Sequence, residues 1–283
     1  MSLALDIQNL SKKFVKNRES FLAVDDFSFR LEQGKTLGLI GANGAGKSTT
    51  IKCILDLMSP SGGNISIFGE SSRLPQSRVG VGFVAENSIL NDQLTAEEVV
   101  SLSLRQHQFN GDIQRQCESW LDKLGVLYAR KKRIRSMSKG MAQRTALAAA
   151  FACEAKLLIL DEPLSGLDPI GRKDVVDLLD VYRKDGGTLL FTSHVLHDVE
   201  RLADDYCIIH KGKLAAAHTA ADISVMTRYV VRSYDVKMQQ SEQIVEQAEL
   251  WQVLNTLQQS GSNVESVKAE LSLEKIFYDV VSK

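Results

Sequence analysis

The sequence lacks the features that mark secreted, membrane-spanning and metal-stabilised proteins. Its four cysteines are far apart and show no metal-ligand spacing, which argues against a cysteine-based metal site. The first residues contain no apolar segment of signal-peptide length. No apolar run approaches the ~20 residues that span a bilayer, and the longest, around Ala146 to Cys153, is typical of a buried helix. We therefore expect a soluble chain that would reach a membrane only through a partner.

The sequence also lacks an excess of charge of either sign. The formal net charge is −1 and 24% of the residues are charged, so the composition gives no indication of a nucleic-acid partner. The basic run at residues 130–135 is more typical of a solvated loop than of a lipid or nucleic-acid contact. With 283 residues and no internal repeat, the chain is long enough for one large α/β domain plus an appendage.

What the sequence does contain is a phosphate-binding loop. The segment GANGAGKST fits the pattern G-x-x-x-x-G-K-[ST], between a predicted buried strand at residues 36–40 and a predicted helix. Its glycines let backbone N–H groups turn towards a β-phosphate, and the positive end of the helix faces the same anion. Lys47 is expected to reach the β- and γ-phosphates, and the Ser48 hydroxyl to hold Mg²⁺. The nucleotide-binding residues predicted from the loop are Gly41, Asn43, Gly44, Ala45, Gly46, Lys47, Ser48 and Thr49.

A pair of acidic residues follows another apolar segment. Four apolar residues at 157–160 lead directly into Asp161 and Glu162, and a strand there would deliver both carboxylates beside the phosphate loop. Asp161 is then expected to bind Mg²⁺, directly or through water. Glu162 is expected to orient and deprotonate a water molecule that attacks the γ-phosphate. An acidic pair seen alone is more often a solvated turn, and it is the phosphate loop that favours the catalytic interpretation.

Strand and helix patterns alternate along most of the chain, which indicates an α/β fold. Continuous apolar strands favour a largely parallel sheet with helices on both faces. From about Leu94 to Glu154 the pattern is helical, and it opens with a capping box at residues 95–98. We predict a nucleotide-binding domain over residues 1–218, with a helical subdomain at about residues 90–155.

After residue 218 the character of the sequence changes. The polar stretch from Thr219 to Arg228 is typical of a linker, and residues 229–232 and 264–268 predict strands. Helices are predicted near residues 244–259 and 272–281. We therefore expect a small α+β accessory domain over residues 219–283, in which no chemical motif is found.

The motifs together resemble those of the nucleotide-binding subunit of ATP-binding cassette (ABC) proteins, over about residues 3–218. The match implies a P-loop NTPase core of the ABC type, with a mixed sheet flanked by helices. Beside the phosphate loop and the acidic pair, the resemblance rests on segments similar to the family's adenine-stacking aromatic residue, Q-loop, signature, D-loop and switch histidine. In that order they are Phe14, Gly82–Glu86, Met137–Arg144, Ser165–Asp168 and Thr192–His194.

The resemblance implies a role for each of these segments. Phe14 would stack on adenine and His194 would hydrogen-bond the γ-phosphate, holding Glu162 and the water in line. Ser138 and Gly140, at a helix N-terminus, would close over the ATP of a second subunit, because such a terminus attracts anions. Asp168 would connect two ATP sites across a dimer interface. The implied ligands are ATP and Mg²⁺, and the dimer is either homomeric or formed with a different cassette.

Two departures from the family pattern concern the Q-loop and the signature. Glu86 stands where the family usually has Gln; it keeps an oxygen ligand for Mg²⁺ and adds a negative charge near the γ-phosphate. We interpret it as the mark of a family branch. Lys139 and Met141 stand where Gly and Gln are commoner, but Ser138 and Gly140 preserve the anion site.

The resemblance implies an ATP-hydrolysing subunit of a transporter at the inner, cytoplasmic face of the cell membrane, with a separate integral membrane permease. A lone cassette with a C-terminal extension and Glu86 resembles the ATPases of bacterial exporters for drugs, peptides or other small cargo. The alternative is a non-transport ABC ATPase acting on ribosomes or DNA. It is disfavoured by the single cassette and by the lack of a heptad run and of an excess of basic residues. A catalytically silent cassette is disfavoured because the catalytic residues Lys47, Glu162 and His194 are all present, as is Asp161.

Overall fold

The structure of the protein, a computed structural model, describes residues 2–16, 19–86, 90–236, 238–269 and 273–282. The chain divides into two compact units, Met1–Ala216 and Ala217–Lys283. A search of the described residues finds no helix that is long and apolar enough to cross a lipid bilayer.

The first unit alternates strands and helices, as the sequence predicts. Its strands are β1 (Leu3–Lys16), β2 (Glu19–Glu32), β3 (Thr36–Ile40), β4 (Gly62–Ile67), β5 (Glu70–Ser71), β6 (Val81–Val84), β7 (Leu157–Leu160), β8 (Thr188–Ser193), β9 (Asp205–His210) and β10 (Lys213–Thr219). Its helices are α1 (Lys47–Ile54), α2 (Ala96–Gln106), α3 (Ile113–Lys123), α4 (Lys139–Ala152), α5 (Pro169–Lys184) and α6 (Leu196–Leu202).

A six-stranded sheet with the order β10-β9-β3-β8-β7-β6 forms the centre of this unit. The pairs β3–β8, β3–β9, β7–β8 and β6–β7 are parallel, and every residue of β3, β7 and β8 is buried. Continuous apolar strands of this kind are typical of a sheet covered on both faces. Because β3, β7 and β8 run in parallel, the segments that follow them meet at one edge of the sheet.

Strands β1, β2, β4 and β5 form a separate sheet, which the sequence pattern does not distinguish from the first. Its order is β2-β1-β4-β5, with antiparallel pairing of β1 to both β2 and β4. Leu5 and Phe27 of this sheet are fully buried, in one hydrophobic core with Leu39 of β3 and Ile51 of α1. Burying each large apolar side chain stabilises the fold by about 1.5–3 kcal/mol, so this shared core joins the antiparallel sheet to the strand and helix that flank the phosphate loop.

Helices α2, α3 and α4 pack together as the predicted helical segment. The capping box is present: Thr95 Oγ1 accepts the Glu98 N–H at 3.3 Å, and Glu98 Oε2 accepts the Thr95 N–H at 2.8 Å. The Thr95 N–H and the Thr95 hydroxyl, which donates to Oε2 at 3.1 Å, lower the pKa of the Glu98 carboxyl below its ordinary value. The ring of Phe151 in α4 stacks on Trp120 of α3 with centroids 5.2 Å apart, which joins the two helices.

Replacing Thr95 by Ala is expected to destabilise the protein by about 1 kcal/mol, the usual cost of losing a side-chain N-cap. Because the pKa of Glu98 is lowered in the folded state, its ionised carboxylate contributes to the free energy of unfolding. This contribution is fully present above the ordinary glutamate pKa. The contribution is lost as the pH falls through the lowered value, so the difference between variant and wild type should shrink in acid. Urea denaturation at neutral and acidic pH measures both effects. Thr95→Ser, which keeps the hydroxyl, is the control, and equal stability of the Ala and Ser variants at neutral pH would contradict the assignment.

The second unit is a three-stranded antiparallel sheet with helices. Its elements are α7 (Ala220–Met226), β11 (Arg228–Tyr234), β12 (Gln240–Glu246), α8 (Leu250–Gln259), β13 (Asn263–Ala269) and α9 (Leu273–Val281). The sheet order is β12-β11-β13. The predicted strands at 229–232 and 264–268 lie within β11 and β13, and α9 occupies the predicted C-terminal helix.

Two local predictions for this unit were wrong. Residues 220–226 form a helix where a linker was predicted, because Thr219 and Asp222 cap it reciprocally: each side chain accepts the backbone N–H of the other, at 3.0 and 2.9 Å. Residues 244–246 belong to β12 and not to a helix. Val245 is buried while Ile244 is 58% exposed, and this alternation follows from the pairing of β12 with β11 along its whole length.

Candidate active site

The phosphate loop connects β3 to α1, and its glycines are required by its shape. Gly44 and Gly46 have φ values of 80° and 117°, in the region that residues with a side chain rarely adopt. A Cβ atom on Gly41 would lie 2.6 Å from the carbonyl oxygen of Ile209. Helix α1 begins at Lys47, whose buried ammonium donates to the Gly41 carbonyl at 2.7 Å. The side chain of Lys47 is therefore folded back over the backbone of the phosphate loop.

A cavity of about 360 Å³ lies over this loop. It is lined by Phe14, Phe21, Ala23, Ala42, Asn43, Gly44, Gly46, Lys47, Ser48, Thr49, Glu86 and Glu162. The two rings of Phe14 and Phe21 stack with centroids 5.6 Å apart and planes 25° from parallel. The cavity therefore combines aromatic faces, which suit a flat base, with a glycine-rich loop, which suits a polyphosphate, and two carboxylates.

Glu162 is the member of the acidic pair that contacts the phosphate loop. It is 7% exposed, and its backbone has a φ of 48°. Its Oε2 atom is 2.8 Å from His194 Nδ1, and its Oε1 atom is 3.5 Å from Lys47 Nζ. Within the described residues Oε1 is buried without a hydrogen-bond donor. A buried carboxylate oxygen in this state is available to accept a proton or a hydrogen bond from a molecule in the cavity.

Thr192 fixes the acidic pair from the neighbouring strand. Its hydroxyl donates to Asp161 Oδ1 and accepts the backbone N–H of Glu162, both at 2.8 Å. The motif Thr192–His194 predicts a role for His194 but no separate role for Thr192. The signal in the sequence is a hydroxyl residue after the buried apolar residues of β8. Because β8 pairs in parallel with β7, with Leu160 opposite Phe191, Thr192 follows at the level of Asp161.

The predicted Mg²⁺ ligands offer suitable chemistry. Ser48 and Glu86 line the cavity, whereas Asp161 is 4% exposed and bonded to Thr192. Hydroxyl and carboxylate oxygens are the donors that Mg²⁺ prefers, and it is usually held by one or two of them together with substrate phosphates. No cluster of three or more His, Cys, Asp or Glu side chains with a metal-binding arrangement occurs among the described residues. The donor set fits a cation that a bound polyphosphate helps to hold.

The remaining predicted residues, Ser138, Gly140 and Asp168, form a second group. Ser138 caps α4 by accepting the backbone N–H of Met141 at 3.3 Å, and its side chain is exposed. A Cβ on Gly140 would lie 3.3 Å from the carbonyl oxygen of Gly166, so the start of α4 packs against the segment Ser165–Asp168. Ser138, Gly140 and Asp168 do not line the cavity described above.

Arg144 strengthens this packing. It pairs with Asp168 at 3.2 Å and with Asp174 at 3.8 Å. One residue earlier on α4, the buried Gln143 side chain donates to the carbonyl of Pro163, directly after Glu162. The signature helix and the segment after the acidic pair are thereby joined within one chain.

A phosphate loop between a buried strand and a helix, with an acidic pair at the end of a parallel strand, defines a P-loop nucleoside-triphosphatase. Within that class, a family model described as ABC transporter matches residues 24–165. The chain belongs to the ABC transporter family and carries an ABC ATPase domain, which confirms the family and fold predicted from the motifs.

Two bacterial relatives and one solved structure extend the comparison. The bacitracin transport ATP-binding protein BcrA of Bacillus licheniformis is 34% identical over 220 residues, covering 76% of this chain and 69% of BcrA. A Nod factor export ATP-binding protein of Rhizobium leguminosarum is 33% identical over 217 residues, 76% of this chain and 68% of the relative. A structure described as an ATP-binding subunit of an ABC transporter is 31% identical with a TM-score of 0.70, and the match covers 78% of this chain and 91% of that one.

Other curated relatives are longer than the region that they share with this chain. For two cyanobacterial ABC transporter ATP-binding proteins, the match covers 56% and 58% of their lengths.

Proposed function

We propose that the protein is the ATP-binding and ATP-hydrolysing subunit of an ABC exporter, powering a separate membrane permease through ATP-driven closure of a dimer. The observation that carries this proposal is the arrangement around Glu162, whose two carboxylate oxygens contact His194 on one side and Lys47 on the other. A carboxylate held in this way beside a phosphate loop is suited to activating water for attack on a γ-phosphate.

The triphosphate would lie along the phosphate loop, with its base towards Phe14 and Phe21. Lys47, now bonded to the Gly41 carbonyl, would turn its ammonium to the β- and γ-phosphates, where positive charge offsets the charge of the transferred group. Mg²⁺, held by Ser48 with Glu86 and Asp161, would add charge neutralisation on the phosphates when bound. Stacking on aromatic rings would orient the adenine.

Glu162 would act as the general base of the reaction. His194 holds the Oε2 atom, which leaves Oε1 to accept the proton of the attacking water. Thr192 fixes the backbone of Glu162 and the carboxylate of Asp161 at the same time, so both acids keep their relative positions. Catalysis would then depend mainly on the positioning of water and phosphate.

The second group of residues would serve the dimer. Ser138 is exposed at the N-terminus of α4, where backbone N–H groups and the helix dipole favour an anion. Ser138 and Gly140 would close over ATP held by another cassette, and Asp168 would lie at the same interface. The partner cassette is a second copy of this chain or a different one.

Transport and its direction are supported by the relatives named for bacitracin transport and Nod factor export. We propose that the protein works at the inner face of a bacterial membrane and that the cargo is a drug, a peptide or another small molecule bound by the permease. The net charge of −1 gives no support for a nucleic-acid partner.

The test is a pull-down of tagged Glu162→Gln protein from detergent-solubilised native membranes, with ATP and Mg²⁺. We expect a polytopic membrane protein to co-purify in stoichiometric amount. Protein with the Lys47→Ala substitution, which removes the ammonium from the nucleotide site, is the control for capture that does not depend on ATP. Recovery of ribosomal proteins or DNA with no membrane protein would overturn the transporter function while leaving the ATPase chemistry in place.

A further inference from the structure

An ion pair joins the helix that follows the D-loop to the helix that follows the switch histidine. Helix α5 begins directly after the D-loop, Ser165–Asp168, and α6 begins two residues after His194. Arg172 of α5 donates both Nε, at 3.1 Å, and Nη2 to Asp198 Oδ2 of α6. The Asp198 side chain is 10% exposed and that of Arg172 is 34% exposed. The catalytic scheme proposed above uses neither residue.

The Arg172–Asp198 pair lies close in the chain to both functional segments. The backbone N–H of Arg172 donates to the carbonyl of Asp168 at 2.8 Å, so Arg172 lies in the first turn of α5, directly after the D-loop. Asp198 is in the first turn of α6, four residues after His194. At the end of β8, directly before His194, the Ser193 hydroxyl accepts the Val195 N–H at 3.0 Å, which shapes the connection from β8 to α6.

Helix α6 packs on the central sheet through its apolar side chains. A Cβ atom on Gly38 of β3 would lie 2.3 Å from Val199 Cγ1, so α6 packs directly on the backbone of the central strand. Val199 and Leu202 are fully buried. Because apolar packing is non-directional, the position of α6 along the sheet depends also on polar contacts, and Asp198 is the buried polar residue of α6.

We propose that Arg172 and Asp198 are positioning residues for hydrolysis. They hold His194, and through it Glu162, at a fixed position relative to the D-loop. Contacts run from Arg144 through Asp168 and Arg172 to Asp198. Three residues of the chain separate Asp198 from His194, which contacts the general base. This inference rests on the proposed ATPase function and adds residues that act through His194. A small displacement of His194 would release Oε2 of Glu162, and errors of about 1 Å in such groups cost up to roughly 10²-fold in rate.

The same two helices carry a matched control. Arg201 of α6 pairs with Asp177 of α5, further from both loops, and these side chains are 44% and 47% exposed. Ion pairs between exposed side chains contribute little to stability. Disrupting this pair tests whether any link between α5 and α6 is sufficient, or whether the one beside the loops is required.

The experiment compares Asp198→Asn with Asp177→Asn in the full chain, and measures kcat, KM for ATP, the Kd of a fluorescent ATP analogue and the thermal unfolding midpoint. We expect Asp198→Asn to lower kcat by roughly 10- to 100-fold with the Kd unchanged, and Asp177→Asn to behave as wild type. Arg172→Lys, which keeps the charge but loses the two-point contact, should lower kcat in the same direction by less. It also provides a second variant for the case in which Asp198→Asn does not fold.

The outcomes separate this inference from the proposed function. A folded Asp198→Asn protein with wild-type kcat, or one that loses kcat and nucleotide affinity in proportion, would overturn the positioning role alone. Equal losses of kcat in Asp198→Asn and Asp177→Asn would also overturn it. A wild-type protein that binds ATP without turning it over would overturn the proposed function and the positioning role together.

Discussion

Replacing Glu162 by Gln is expected to slow ATP turnover by roughly 10²-fold or more, the usual loss when a general base is removed. Glutamine has the shape of glutamate and can still contact His194, but its amide does not accept a proton from water. ATP binding should persist, because the phosphate loop and the stacked rings of Phe14 and Phe21 are unchanged. Steady-state hydrolysis and equilibrium binding of ATP measure the two effects, and size-exclusion chromatography with ATP should show a trapped dimer.

The matched control for this variant is Glu154→Gln. Glu154 is exposed, accepts a hydrogen bond from Gln116 at 3.3 Å and precedes β7, at the end of the strand opposite the acidic pair. The control makes the same chemical change away from the cavity and should hydrolyse ATP like wild type. Near-normal turnover in Glu162→Gln would remove Glu162 from the role of base.

Replacing Ser138 by Arg is expected to abolish ATP-dependent dimerisation while leaving ATP bound to the monomer. The exposed hydroxyl sits at the N-terminus of α4, and a long cationic side chain there would fill the anion site that we assign to the partner's γ-phosphate. The cavity over the phosphate loop contains no atom of Ser138, so binding of ATP to the single chain should not change. Sedimentation of this variant in the Glu162→Gln background, with and without ATP, gives the result.

Two further substitutions distinguish two possible causes of a loss of dimerisation, which are occupation of the anion site and loss of the helix cap. Ser138→Asn keeps an N-cap residue of small size and should still dimerise, whereas Ser138→Ala loses the cap, at a cost of about 1 kcal/mol, without filling the site. If the Arg variant dimerises like wild type, the signature is not at the interface.

The structure agrees with the sequence analysis most closely where a motif and its flanking elements are contiguous. The phosphate loop, the strand before it and the helix after it lie within residues 36–54, and each is recognisable from its own residues. The same holds for the acidic pair after β7 and for the capping box at Thr95. In the second unit the signals are weaker: Thr219 and Asp222 have the spacing of a reciprocal helix cap, but the polar stretch that begins with them predicts a linker.

The sequence by itself therefore determined the family, the α/β core and the order of the motifs, because these depend on short patterns of residue type along the chain. Only the tertiary structure decided that β1, β2, β4 and β5 form their own antiparallel sheet, and that Thr192 bridges Asp161 and Glu162. It also decided that residues 244–246 pair as a strand and that Arg172 meets Asp198. The physical reason is that strand register and helix packing create these contacts between distant parts of the chain. Thr192 lies 31 positions from Asp161 and Arg172 lies 26 from Asp198, and no local pattern records which distant partner a polar side chain will find.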